Sequence, residues 1–136
     1  MGTPDSGVEM KLLRISLEDE RATFLNRFAP GFRAPTHRHL GEVHGYTLSG
    51  RWRYLEYDWE SREGDYVFEP PDTVHTLDCP ADNPRPTVVL FVVHRGMDLF
   101  TPEGSLLFTQ TIPSFEDLYR SGLEQLGLPF PKEVLR

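Results

Sequence analysis

Short runs in which apolar and polar residues alternate cover most of this chain, and this two-residue period predicts β-strands. The run 21–28 is a clear example, because one face of it collects Ala22, Phe24, Asn26 and Phe28. Clusters rich in Pro, Gly, Asp and Glu separate the runs and predict the connections. The strands expected on this basis are 8–15, 21–28, 43–48, 51–59, 65–69, 74–77 and 87–94.

The same pattern predicts how some of these strands pair. Strands 43–48 and 51–59 are expected to form a hairpin across Gly50, and residues 100–111 are expected to form a closing hairpin. Residues 87–94 are continuously apolar, which is typical of a buried central strand.

Helical periodicity occurs near the C-terminal end, where apolar residues recur every three or four positions from Phe115 to Leu126. Ser114 is the expected N-cap, and Gly127 with Pro129 ends the helix. The fold class is therefore expected to be all-β, a barrel or two-sheet sandwich of roughly nine or ten strands with a C-terminal α-helix.

Length and charge narrow the possible functions. Residues 1–136 are expected to form a single domain, with 1–7 as a disordered lead, 8–112 as the barrel and 114–127 as the helix. The formal net charge of −7, without a basic tract, argues against a nucleic-acid partner. Neither a long apolar stretch nor a signal peptide is present, so we expect no membrane partner and a cytoplasmic location. The single cysteine, Cys79, agrees with a reducing compartment.

Histidines are the candidate metal ligands of this chain. His37 and His39 are two residues apart, so both imidazoles leave the same face of an extended strand. Two neutral imidazoles from one strand form half of a metal site, and the remaining ligand must come from elsewhere. The best candidate for that ligand is His75.

The spacing around these histidines resembles the two sequence motifs of the cupin family. The matching residues are Gly31, His37, His39 and Gly50 for the first motif, and Gly64, Pro70 and His75 for the second. The resemblance implies a cupin fold, which is a conical double-stranded β-helix or jelly-roll barrel with the metal on its axis. It also implies one divalent metal ion held by His37, His39 and His75, and a homodimer or higher homo-oligomer.

One departure from the first motif bears on the chemistry. The motif usually has a glutamate four residues after its second histidine, and here that position is Val43. Three imidazoles are a neutral ligand set, so a divalent metal would keep its full charge and favour anionic bidentate ligands such as an enolate. In the second motif, Asp72 and Cys79 replace the usual glycine and asparagine.

The three-histidine pattern looks similar to that of the acetylacetone-cleaving and 2,4'-dihydroxyacetophenone dioxygenases. This resemblance implies an Fe(II) enzyme that uses O2 to cleave a C–C bond next to a carbonyl in a small β-diketone or α-hydroxy-ketone. The residues alone leave the metal open among Fe(II), Zn(II), Ni(II), Mn(II) and Cu(II).

Two carboxylates are candidate catalytic residues. Glu69 lies six residues before His75 and could accept its ring N–H, which would fix the tautomer. Glu56 shares strand parity with Trp52 and Tyr54, so if this face lines the barrel, a carboxylate of raised pKa could abstract a substrate proton.

Two other functions remain open at this point. Three histidines with an open position are also a zinc arrangement, which would give a hydrolase or lyase. The other is a non-catalytic cupin that binds a metal or a small molecule, although anti-sigma-like cupins generally keep the glutamate that this chain lacks. Neither His44, which alternation turns away from the Val43 face, nor His94 is expected to be a ligand.

Overall fold

The computed structural model describes residues 6–135, so residues 1–5 of the expected lead lie outside the described residues. The described chain is all-β with a C-terminal helix, as the sequence pattern predicts. Its strands are β1 (Val8–Ser16), β2 (Arg21–Phe28), β3 (His37–His39), β4 (Val43–Ser49), β5 (Arg51–Tyr54), β6 (Glu60–Arg62), β7 (Tyr66–Glu69), β8 (Val74–His75), β9 (Leu77–Asp78), β10 (Thr87–His94), β11 (Met97–Phe100) and β12 (Leu106–Gln110). The helix α1 is Ile112–Gln125, and a 3₁₀ turn follows at Lys132–Leu135.

These strands form three antiparallel sheets. The largest has the order β1-β2-β10-β4-β7, the second β12-β11-β3-β8 and the third β6-β5-β9. Strand β10 pairs with both β2 and β4, which confirms the prediction of a central strand. Its inward side chains Val89, Phe91 and Val93 join one hydrophobic cluster with Trp52 of β5 and Leu77 of β9. The large sheet therefore packs face to face against the smaller ones.

The region around β5 differs from the sequence pattern. The chain turns after Tyr54, where the Tyr57 N–H donates to the Tyr54 carbonyl at 3.1 Å. The predicted strand 51–59 is therefore wrong, because β5 ends at Tyr54 and β6 begins at Glu60. The hairpin expected across Gly50 is also wrong, since β4 pairs with β10 and β7 while β5 pairs with β6 and β9.

The C-terminal elements agree better with the pattern. The closing hairpin is confirmed by the pairing of β11 with β12, although its first arm begins at Met97. Helix α1 begins at Ile112, three residues earlier than expected, and its N-cap is Thr111, which forms a capping box with Ser114. Phe115 stacks on Phe24 of β2 at a centroid distance of 5.3 Å, and this contact attaches the helix to the large sheet.

No helix within residues 6–135 has the length and apolar character needed to cross a membrane.

The outer face of the large sheet keeps apolar side chains in contact with solvent. Those at the β4–β7 end are Tyr46, Leu48, Tyr66 and Phe68, each more than 40% exposed. An interface between two copies of the chain would cover such a surface. The homodimer itself stays a prediction.

All three motif glycines have a left-handed backbone, with φ of +85° at Gly31, +73° at Gly50 and +89° at Gly64. A Cβ on Gly50 would lie 2.5 Å from Thr87 Oγ1 and 2.7 Å from Thr87 Cα, whereas a Cβ on Gly64 would meet nothing within 4 Å. Gly50 is therefore required by both backbone and packing, and Gly64 by backbone alone.

We expect Gly50→Ala to lower the free energy of unfolding by roughly 3 kcal/mol, because left-handed strain of about 1–2 kcal/mol adds to overpacking against Thr87. Gly64→Ala is the matched control and should lower it by only about 1–2 kcal/mol. Urea denaturation followed by circular dichroism measures both changes. Equal losses in the two variants would contradict the close packing at Gly50.

Candidate metal centre

The short strands β3 and β8 bring the three predicted histidines to one place. Strand β3 presents His37 and His39 on its inward face, and antiparallel pairing with β8 sets His75 directly opposite His37. All three side chains are buried, and one ring nitrogen from each lies within 4.8 Å of the other two. Such a cluster can hold a metal ion.

Several polar atoms of this cluster lack a partner. Both ring nitrogens of His39 and both of His75 are buried without a hydrogen bond from the described residues. The Nδ1 of His37 lies 3.1 Å from the Pro35 carbonyl, so a proton on Nδ1 would be donated there and leave the Nε2 lone pair free. An unpaired buried polar atom costs about 1–3 kcal/mol, and one cation would satisfy several of them together. The donor set therefore fits a divalent metal.

Burial also keeps these imidazoles neutral. Desolvation lowers the pKa of His37, and it lowers the pKa of His39 to about 2 and that of His75 to about 3. Repulsion from His37 adds to the lowering at His39 and His75. At neutral pH no proton has to leave these rings before a metal binds.

Glu69 brings a carboxylate to the cluster from β7, and it is only 4% exposed. Its Oε2 lies 3.4 Å from His39 Nε2 and its Oε1 lies 3.3 Å from His75 Nε2, while neither oxygen accepts a hydrogen bond within the described chain. Because β4 pairs with β7, Glu69 stands directly opposite Val43, the position at which the first motif usually has its glutamate. A carboxylate therefore reaches the histidines from the neighbouring strand.

Tyr54 is a neighbour of the cluster, and the sequence pattern did not predict its contact with His75. Its ring stacks on His75 with centroids 3.6 Å apart and 16° between the planes. Burial raises the pKa of Glu69 to about 7, and the nearby Tyr54 hydroxyl opposes that rise by stabilising the carboxylate. Alternation from Trp52 could have shown that Tyr54 faces inward, but not that it meets His75.

Glu56 lies in the exposed turn after β5, so the strand parity on which its placement in the barrel was based is wrong. Its Oε1 accepts from the Thr76 N–H at 2.7 Å, and its Oε2 accepts from the Thr76 hydroxyl at 2.8 Å. The Thr76 hydroxyl oxygen lies 2.7 Å from that of Thr36, which must be the donor between them. This network links the residue after His75 to the residue before His37.

The two remaining histidines belong to the outer face of the large sheet. His44 Nε2 lies 2.9 Å from a Glu42 carboxylate oxygen, and the other ring nitrogen meets the Tyr66 hydroxyl. His94 Nδ1 lies 3.0 Å from the Glu42 carbonyl, and its Nε2 accepts from Arg21 at 3.0 Å. Neither ring joins the three-histidine cluster.

An apolar cavity of about 170 Å³ borders His37 and His39. Its walls come from the large sheet and from the two smaller sheets, with Phe24 and Phe91 on the former and Leu77 on the latter. The polar side chains that line it are Asn26, His37, His39 and Tyr54. The cluster thus stands next to a mostly apolar space that can take a small molecule.

Comparisons with known proteins agree with this architecture. Residues 1–98 match the family model described as the ChrR cupin-like domain. A cupin-like protein of unknown function from Ralstonia eutropha is 29% identical, with a TM-score of 0.85 over 89% of this chain and 75% of that chain. An RmlC-like cupin protein from the same organism is 25% identical, with a TM-score of 0.88 over 96% of this chain and 82% of that chain.

An acetylacetone dioxygenase from Acinetobacter johnsonii is 13% identical, with a TM-score of 0.76 over 89% of this chain and 85% of that chain, a likeness that shows the fold alone. A search of curated proteins gives no match. The cupin resemblance inferred from the spacing of glycine, proline and histidine is confirmed. Because the family model spans most of its length, this chain belongs to the ChrR cupin-like domain family of cupins.

Proposed function

We propose that this chain is a mononuclear non-haem Fe(II) dioxygenase that cleaves a C–C bond next to a carbonyl in a small β-diketone or α-hydroxy-ketone. The observation that carries the proposal is a buried three-histidine cluster that borders an apolar cavity and has the unpaired carboxylate of Glu69 beside it. An acetylacetone dioxygenase shares this fold.

In this proposal His37, His39 and His75 hold the metal. Iron bound there supplies a centre at which a chelating substrate and O2 meet. The chain orients two of the ligands in advance, His37 through the Pro35 carbonyl and His75 through the stacked ring of Tyr54. Since the imidazoles add no charge, they leave the centre selective for an enolate over a neutral ketone.

Glu69 is the proposed proton acceptor. A β-diketone becomes an enolate by losing the proton on the carbon between its carbonyls, and a buried carboxylate beside the metal ligands is suited to take it. Among residues 6–135 no donor meets hydrogen-bond geometry at either Glu69 oxygen, although the Tyr54 hydroxyl is near enough to stabilise the carboxylate. Glu56, whose oxygens both accept from Thr76, is proposed to position the segments around His37 and His75 instead.

The cavity favours an uncharged substrate. Within the described chain, no lysine or arginine is among its lining residues. The arginines of the neighbouring strands are held by acidic partners, with Arg33 and Arg53 donating to Asp78, Arg38 to Asp98 and Arg51 to Asp82. A substrate carboxylate at the end of the cavity away from the histidines would have no counter-charge among the lining residues, and burial of an unpaired charge is strongly unfavourable.

A second candidate function is a zinc hydrolase or lyase, which the neutral three-histidine set and the adjacent Glu69 also suit. The match to the ChrR cupin-like family supports a third, a non-catalytic cupin that binds a metal or a small molecule. Two observations distinguish these three candidates: which metal the purified chain contains, and whether the metal-loaded chain reacts with O2.

We expect His75→Ala to lower metal affinity by more than about hundredfold, because changes to residues around metal ligands alone cost about 10–100-fold. Elemental analysis and metal titration measure this loss, and circular dichroism checks that the fold persists. His44→Ala, on the outer face, is the matched control and should bind metal as the wild type does. Full metal occupancy in folded His75→Ala would overturn the assigned ligand.

The dioxygenase reaction is tested with chain loaded with Fe(II) under anaerobic conditions, then mixed with O2 and a panel of β-diketones and α-hydroxy-ketones. We expect one O2 consumed per ketone, with both atoms of ¹⁸O₂ appearing in the cleavage products by mass spectrometry. Chain loaded with Zn(II) should consume no O2. Product formation by the zinc form alone would instead support the hydrolase or lyase.

We expect Glu69→Gln to lower kcat by about 10²–10⁴-fold with iron content unchanged, because the amide cannot accept the substrate proton. The defect should narrow as pH rises, since more of the diketone then ionises in solution. Glu56→Gln is the control carboxylate and should change kcat by less than about tenfold. If Glu69→Gln loses its iron, Glu69 is a metal ligand and the role as proton acceptor fails.

A further inference from the structure

One polar side chain in the cavity wall has no part in the metal centre. Of the four polar side chains that line the cavity, His37 and His39 belong to the cluster and Tyr54 stacks on His75. The fourth is Asn26, which lies on β2 of the large sheet, whereas the histidines lie on β3 and β8 of the second sheet. The amide therefore enters the cavity from a different wall.

Asn26 interrupts an otherwise apolar surface. Its neighbours on the same face of β2 are Phe24 and Phe28, and its cross-strand partners are Met10 of β1 and Val89 of β10. An apolar residue would continue this wall, and an amide there is unfavourable unless its donors and acceptor are paired. The position is half-buried and polar, which the packing of the apolar wall alone does not require.

The chain itself only partly satisfies this amide. The Nδ2 of Asn26 donates to the Glu9 carbonyl at 3.4 Å, which is long for an N–H···O hydrogen bond. Among residues 6–135 this is the hydrogen bond that the side chain makes, so Oδ1 has no donor from these residues. An unpaired acceptor in an apolar wall is a place where a ligand hydroxyl or amine gains by donating a hydrogen bond.

We propose that Asn26 is a specificity-determining residue, which hydrogen-bonds a neutral polar group of the substrate while the metal end of the cavity binds the ketone oxygens. This inference rests on the proposed function and deepens it, because it implies a substrate with a third, uncharged polar group. An amide offers a donor and an acceptor without net charge, so it matches a hydroxyl. The absence of lysine and arginine from the described lining agrees with a neutral group.

The test compares heptane-2,4-dione with its 6-hydroxy and 7-hydroxy analogues, bound to the Fe(II)-loaded chain without O2 and measured by calorimetry. We expect one of the hydroxylated diones to bind about tenfold more tightly than the parent, as one added buried hydrogen bond would give. Asn26→Leu should remove this preference and leave the affinity for the parent dione within about threefold. Asn26→Ser, which keeps a hydrogen-bonding group, should restore part of it.

Two further measurements distinguish ligand recognition by Asn26 from a general effect of a substitution on the structure. Val89→Ala removes a neighbour of Asn26 that does not line the cavity, so it should change the affinities for all three diones by the same factor. Without ligand, Asn26→Leu should raise Tm by about 2–5 °C, because the amide no longer lies in an apolar wall.

The outcomes distinguish this inference from the function on which it rests. Binding of all three diones without preference, or a preference that survives in Asn26→Leu, overturns the role of Asn26 and leaves the dioxygenase proposal standing. Failure of every dione to bind to the metal-loaded chain overturns both the role of Asn26 and the β-diketone form of the proposed function.

Discussion

The candidate metal centre depends on the register between β3 and β8, two strands that are joined by only two residue pairs. A shift of one residue would turn His75 to the outer face and break the cluster, because side chains alternate along a strand. Backbone hydrogen bonds beside the pairing hold this register: His39 donates to the Thr73 carbonyl at 3.2 Å, and Asp72 donates to the His39 carbonyl at 2.8 Å. Side-chain hydrogen bonds among Thr36, Thr76 and Glu56 link the other ends of the same two strands.

Sequence reasoning predicted the part of the site that depends on alternation within one strand. His37 and His39 had to share a face, and motif spacing supplied His75. The contact between Glu69 and His39 could not be read in this way, since it depends on which strand lies beside β4 and in what register. Only the pairing of Val43 with Glu69 shows that a carboxylate on the next strand lies opposite the position of the missing glutamate.

The prediction for Glu56 was wrong for a different reason. The rule of alternating side chains was applied across a turn that the sequence pattern does not reveal. Side chains alternate between the two faces only while the chain stays extended, and the chain bends after Tyr54. It bends there although Tyr57 and Trp59 are residue types that favour strands. The aromatic residues of the turn pack on one another, with Tyr57 and Trp59 stacked at 5.9 Å, so tertiary packing overrides their β propensity. The same turn places Glu56 against Thr76 and removes it from the cavity.

The buried donors also connect metal binding to folding. Four imidazole nitrogens and two carboxylate oxygens lie without hydrogen bonds from the described residues, and a buried polar group without a partner costs about 1–3 kcal/mol. A metal that binds the folded chain at about 100 times its Kd would return about 2.7 kcal/mol of stability. The arrangement that suits the site to a cation therefore also lowers the stability of the fold, and packing of the surrounding sheets must offset that loss. The apolar cavity beside it extends the same constraint, since the histidines and Asn26 bring polar side chains to a mostly apolar wall.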